Sequence, residues 1–321
     1  MSDNKKKTEE ASSTPYDDVF RTMITDSSMI AVMLANEMFS EHISLDAKFE
    51  RYQNEVYLAG NKKRSTDSHV KFEGDKYYYH MECESIAGDA AILVRLFEYD
   101  VALALSHHTL KGNELHVTFP RAGVLYLRPT KNTPDTMQMV VEAESSEHPL
   151  VVDVAVMKIS SYTLEEVIRR KLWFLFPFFI FNYEKGLKSR VEKRKSKTED
   201  EALEYIETVM AELDRLCTIG EIDSFTRSMM MEMIHKAVIN LVDNEASKSE
   251  RIREGADKYM GGQVLEYEAK NILNQGREEG ARAVINTCKN LERSRIDTVE
   301  TVMTEMNYSL ADAEALVSKY W

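Results

Sequence analysis

Asp67 and the run Glu82-Cys83-Glu84 are the residues of this 321-residue chain whose types and spacing suit chemistry. Segments 67–73 and 76–85 read as strands joined at Gly74-Asp75, a dipeptide that suits a tight hairpin turn. A turn there puts Asp67 directly opposite Glu82. Directly paired residues point to one face, with Cβ atoms about 4.5–5.5 Å apart. Glu84 shares that face by the two-residue period of a strand. Three carboxylates then converge, and like charges this close call for a cation. All-oxygen ligation suits a hard ion such as Mg²⁺, which activates water and stabilises charge on a phosphoryl group. The competing reading is a solvent-facing sheet with scattered acids.

The surrounding elements must position these groups. A helix is expected over 16–39, interrupted near 25–28, and a first strand over 49–58. After the hairpin, 89–105 lacks Gly and Pro and reads as a helix. Further strands are expected at 115–119, 124–128, 137–144 and 150–159. That order is a mixed α/β domain. Thr163 followed by Glu166 reads as a capped helix start. Helices are expected over 198–217 and 222–243. In the second, Met230, Met233, Ile234, Ala237, Val238 and Leu241 make an amphipathic stripe. Gly261-Gly262 breaks the chain, and Ser309 reads as the N-cap of a final helix.

Composition narrows the class. Hydrophobic residues at 43% and charged residues at 30% describe a globular chain, not a disordered one. Three widely spaced cysteines, Cys83, Cys217 and Cys288, argue against a disulfide framework or a structural zinc site and fit a reducing cytosol. Lys5, Lys6 and Lys7 have no apolar stretch behind them, so no signal peptide is expected. The longest apolar run, 172–181, is half of the roughly 20 residues a membrane span needs, and burial is the expected fate. The net charge of −13 repels nucleic acid on average. It is unevenly spread. Ten bases against two acids give 169–197 a charge of +8 and leave −21 elsewhere. Arg169, Arg170, Lys171, Lys185, Lys188 and Arg190 are the candidates for tracking a DNA backbone. The alternative is a solvated helix or linker paired with the acids that follow.

Several segments, in order, resemble the PD-(D/E)XK nuclease superfamily, and within it the Rpn family of recombination-promoting nucleases, also described as putative transposases. Tyr16-Asp17-Asp18-Val19-Phe20-Arg21 resembles the family's D-x-x-F-(K/R) opening helix, and Asn36-Glu37-Met38-Phe39 its end. Thr66-Asp67-Ser68 resembles the second strand with the metal-binding Asp. Tyr79-His80-Met81-Glu82-Cys83-Glu84-Ser85 resembles the third strand. Arg95 and Tyr99 match an Arg-x-x-x-Tyr helix, and the similarity continues in Phe119-Pro120-Arg121, Leu125-Tyr126-Leu127-Arg128, Thr133-Pro134, Thr163-Leu164-Glu165-Glu166 and Leu175-Phe176-Pro177-Phe178. It covers roughly residues 16–290 in spacing and style.

The resemblance implies a restriction-endonuclease-like α/β core with a central mixed sheet and a mostly helical C-terminal region. It implies Mg²⁺ (or Mn²⁺) held by Asp67, Glu82 and the Cys83 carbonyl. Glu84 stands where the superfamily has a lysine; a carboxylate binds a second metal or accepts a proton but supplies no positive charge. Glu37 is the expected acid from the first helix, with Asp17 competing. Arg95 and Tyr99, at i and i+4, share a helix face. That face aims either at phosphate or at the carboxylates, the second case being an Arg–carboxylate brace with a packed Tyr. The expected organisation is a tail at 1–14, a nuclease-like domain at 15–183, a basic linker at 184–198, helices at 199–260 and a C-terminal helical tail at 261–321. The expected activity is metal-dependent DNA endonuclease chemistry in the cytoplasm, with DNA as partner, no membrane, and self-association left open. A catalytically impaired regulatory relative and a helical interaction scaffold are the alternatives. His80, His107 and His108 read as ordinary polar or packed histidines, although His80 shares the face of Glu82 and borders the site.

Overall fold

A computed structural model describes residues 15–321 except 52–54, 59–61, 66–67, 75, 86–90, 143, 145–147, 245–248, 260–262, 292 and 307. Asp67 and the turn residue Asp75 therefore lie outside the described residues. Two compact units result, Met1–Met260 and Gly261–Trp321.

The first unit opens with helices α1 (Pro15–Asp26) and α2 (Ser28–Phe39). The break between them has a local cause: the Ser27 hydroxyl accepts from the backbone N–H of Ile30 and caps α2. Strands β1 (Phe49–Arg51), β2 (Glu55–Leu58), β3 (Lys62–Ser65), β4 (His69–Phe72) and β5 (Tyr78–Glu84) follow, then helix α3 (Ala91–Ser106). Strands β6 (Thr109–Lys111), β7 (Glu114–His116), β8 (Arg121–Tyr126), β9 (Thr136–Val141) and β10 (Leu150–Lys158) complete the sheets. The central sheet has the order β1-β4-β5-β8-β10-β9 and is mixed, and β2-β3 and β6-β7 are separate hairpins. β4 and β5 are antiparallel; β5 and β8 are parallel, joined across α3.

Gly74 sits in the β4–β5 turn at φ 80°, a left-handed conformation that only glycine adopts freely. That turn sets the register. His69 pairs with His80, Val70 with Tyr79 and Lys71 with Tyr78. The pairing runs one step further, with the Met81 N–H donating to the Ser68 carbonyl at 3.1 Å. This is the register that a turn at Gly74-Asp75 requires.

α3 packs on one face of the sheet, with Ile92 and Leu96 against Ala122, Val124, Tyr126, Met139 and Val154. The opposite face meets α2. Phe39 packs on Tyr79 at 5.2 Å between ring centroids, and Gly123 leaves room for Met38 and Phe39.

Helix α4 (Leu164–Arg169) begins in a Thr163/Glu166 capping box. The apolar run becomes a 3-10 segment, Trp173–Asn182, whose residues from Trp173 to Phe181 are all buried. Among the described residues no helix is long and apolar enough to cross a membrane. The basic stretch at 184–198 is helical over most of its length rather than a linker. It contains α5 (Glu184–Leu187) and the first turns of α6 (Glu192–Thr218). Helices α7 (Ser224–Asn244) and α8 (Glu250–Asp257) follow. These helices join the sheet-bearing unit: the Tyr205 hydroxyl donates to the Phe176 carbonyl, and its ring packs 5.6 Å from that of Phe179.

The second unit holds α9 (Gln263–Asn290), α10 (Arg295–Met306) and α11 (Leu310–Tyr320). Ile285, Val302, Ala313 and Val317 form its core. Ser309 caps α11 by accepting from the Asp312 N–H.

Candidate functional site

Strand β5 carries the site. Its even positions, His80, Glu82 and Glu84, point to the face covered by α3; its odd positions, Tyr79, Met81 and Cys83, are buried on the other. Glu82 is only 3% exposed, so this face is not a solvated sheet surface. A buried carboxylate must be paired and hydrogen-bonded. Helix α3 supplies one partner. Arg95 reaches Glu82 Oε2 at 3.2 Å and also pairs with Glu84 Oε1. Tyr99, one turn on, is buried with its ring edge-on to His80 at 5.8 Å. The shared face of Arg95 and Tyr99 is thus a carboxylate brace with a packed tyrosine.

The second partner of Glu82 is His80. His80 is fully buried, with Nε2 2.9 Å from Glu82 Oε1 and Nδ1 2.7 Å from Asp100 Oδ1. Burial opposes a charge on this ring, but the hydrogen bonds to Asp100 and Glu82 and their negative charges outweigh it and raise its pKa to about 9. His80 is therefore an imidazolium between two carboxylates. Burial pushes the Asp100 carboxyl up, against the pull of His80. Glu84 is also pushed up by burial; Arg95 pulls the other way, and the charges of Glu82 and Asp17 add to the rise.

Of the two first-helix acids, Asp17 thus acts electrically on Glu84. Glu37 is engaged elsewhere. It accepts from the Tyr162 hydroxyl at 2.9 Å and from Arg170 at 2.6 and 2.8 Å. The Cys83 side chain is buried as a free thiol. Of the basic candidates, Arg170 pairs with Glu37, Lys171 with Glu221 at 2.6 Å and Lys188 with Glu184 at 2.5 Å. Arg169, Lys185 and Arg190 are exposed and make no ion pair with the described residues.

Two residues of the cluster escaped the sequence reading. Asp100 lies four residues beyond Leu96 on the buried stripe of α3 that also holds Ile92, Tyr99 and Leu103, a position where an apolar residue is expected. That break in the stripe is a readable signal. His69 faces His80 across the hairpin with ring centroids 4.2 Å apart. Burial, and then the His80 charge, hold its pKa well below the usual value, so it is neutral. The register that pairs Asp67 with Glu82 also pairs His69 with His80, so this signal too was present.

The donor set of Glu82 and Glu84 is all oxygen and fits a hard divalent cation. Arg95 now neutralises the same oxygens, so an ion there shares them with, or displaces, the guanidinium. Compared with family models, curated proteins and solved structures, the chain matches none.

Proposed function

We propose that this chain is a metal-dependent phosphodiesterase acting on DNA, with a PD-(D/E)XK-like core, and that Asp67, Glu82 and Glu84 are its reacting carboxylates. The observation carrying this reading is the convergence of Glu82 and Glu84 on Arg95 along one buried strand face. The order of elements supports it: an antiparallel β4–β5 hairpin, the α3 crossover and a parallel β8 put the carboxylates on a central strand. Asp67, Glu82 and the Cys83 carbonyl would hold Mg²⁺ (or Mn²⁺), which when bound supplies Lewis acidity toward water and phosphate. The chain's own groups have separate tasks. Glu84, with its pKa raised by burial, is suited to accept a proton from water. Arg95 is half-exposed and placed to balance negative charge beside the carboxylates. His80 fixes the rotamer of Glu82 through Nε2.

A second reading has its own support. Arg95 satisfies the carboxylates without a metal, and Glu84 replaces a lysine, as in a binding or regulatory protein that has lost catalysis. Incubating the wild type, Glu82→Gln and Asp67→Ala with plasmid DNA and Mg²⁺ separates the two. Nicking by the wild type alone supports the nuclease. Binding without nicking by all three supports the regulator. Neither nicking nor binding refutes both.

A further inference from the structure

We propose that His69, His80 and Asp100 form a transition-metal site, best matched to Zn²⁺, that ties the β4–β5 hairpin to helix α3. This site uses two nitrogen donors and one oxygen, shares no ligand with the carboxylates assigned to catalysis and does not rest on the nuclease reading. One donor atom from each residue lies within 4.8 Å of the others, and all three side chains are buried. Two imidazoles and a carboxylate suit zinc, whereas magnesium prefers oxygen alone.

The second observation is what these groups lack. His69 is 1% exposed, and neither ring nitrogen meets a hydrogen-bond partner among the described residues. Asp100 is fully buried, and its Oδ2 is equally unpartnered. Buried polar atoms left this way are costly and rare, and their presence on two of the three clustered residues calls for an occupant. The third is the pattern around His80. A metal-bound histidine characteristically donates its other N–H to a carboxylate, and His80 Nε2 stands 2.9 Å from Glu82 Oε1. Nδ1 is then the ligating atom. Zinc would replace the proton that His80 now shares with Asp100, and donors in a tetrahedral site sit roughly 3.3 Å apart. The 2.7 Å contact would open by a fraction of an ångström. Three protein ligands leave one coordination position open.

The test uses full-length protein stripped with chelator and then held in excess Mg²⁺, so that oxygen sites are occupied. Co²⁺ serves as the optical probe, with Zn²⁺ as competitor. The expected result is one equivalent of Co²⁺ with intense tetrahedral ligand-field bands that Zn²⁺ abolishes. His69→Phe keeps the ring's shape and removes two unpartnered nitrogens, so it should fold at least as well without metal. It should weaken Co²⁺ binding by more than about 100-fold, beyond the loss usual for outer-shell partners. His69→Cys restores a ligand and should bring back binding with a sulfur-to-cobalt charge-transfer band. Absence of a saturable band in folded wild type overturns the proposal and leaves buried water as the occupant. A band that survives His69→Phe overturns it as well, because the metal is then elsewhere.

Discussion

The two faces of strand β5 are both largely buried and built from opposite chemistry. Tyr79, Met81 and Cys83 lie against an apolar layer, and His80, Glu82 and Glu84 lie under α3 among Arg95, Tyr99 and Asp100. The apolar face is held by area and fit, which are non-directional. The charged face is held by pairing, and each of its charges is expensive unless a counter-charge is in place. A fold keeps such a face at a cost in stability, which is why the charged face is where chemistry is sought.

The largest break in this comparison is Met81→Asp. It puts an unpaired carboxylate on the apolar face and should cost more than about 4 kcal/mol, most of a domain's stability. Urea unfolding followed by circular dichroism should show a chain largely unfolded in water.

Next comes pH. In chelator, the folded pKa of His80 is raised to about 9, above the ordinary 6.5. Its contribution is fully present below about pH 6.5 and is lost as pH rises through about 9, a change on the order of 3 kcal/mol. Unfolding midpoints measured across that window should fall in the wild type. They should stay flat in His80→Phe, which starts lower because Glu82 and Asp100 lose their shared partner. A wild-type midpoint that does not move would refute the imidazolium.

On the apolar side, Gly123→Ala tests fit alone. An added Cβ runs into Met38 Sδ and lies 3.1 Å from the Phe39 ring. The expected loss is about 1–3 kcal/mol with no pH dependence. The smallest effect belongs to Arg170→Ala. Its pair with Glu37 is 41% exposed on the arginine side, so thermal unfolding should register less than about 1 kcal/mol. An effect as large as that of His80→Phe would mean that exposure does not separate the two charge clusters.

Much of the hairpin was legible because its causes are local. Gly74 fixes the turn, the turn fixes the register, and strand period assigns Glu82 and Glu84 to one face. The Thr163/Glu166 box, the cap at Ser309 and the break near 25–28 were legible for the same reason. The roles of Glu37 and Asp17 were not, because both are acids on neighbouring helices. Their difference depends on which charge each meets: the opposite charge of Arg170 for Glu37, the like charge of Glu84 for Asp17. The partners of the basic stretch were hidden for the same reason. Its charge density reads as a solvated strip, yet Arg170 and Lys171 each find a carboxylate brought in by folding, and Lys188 finds one a helical turn earlier at Glu184.

By itself the sequence determined the hairpin register, the two faces of β5 and the mixed α/β order, since turn chemistry and side-chain period act within a few residues. Only the tertiary structure decided that the charged face is buried, that Arg95 and His80 hold it together, and that His69 and Asp100 meet there. Those contacts depend on how α3 docks across the sheet, joining residues up to 31 positions apart, and no local rule sets that distance.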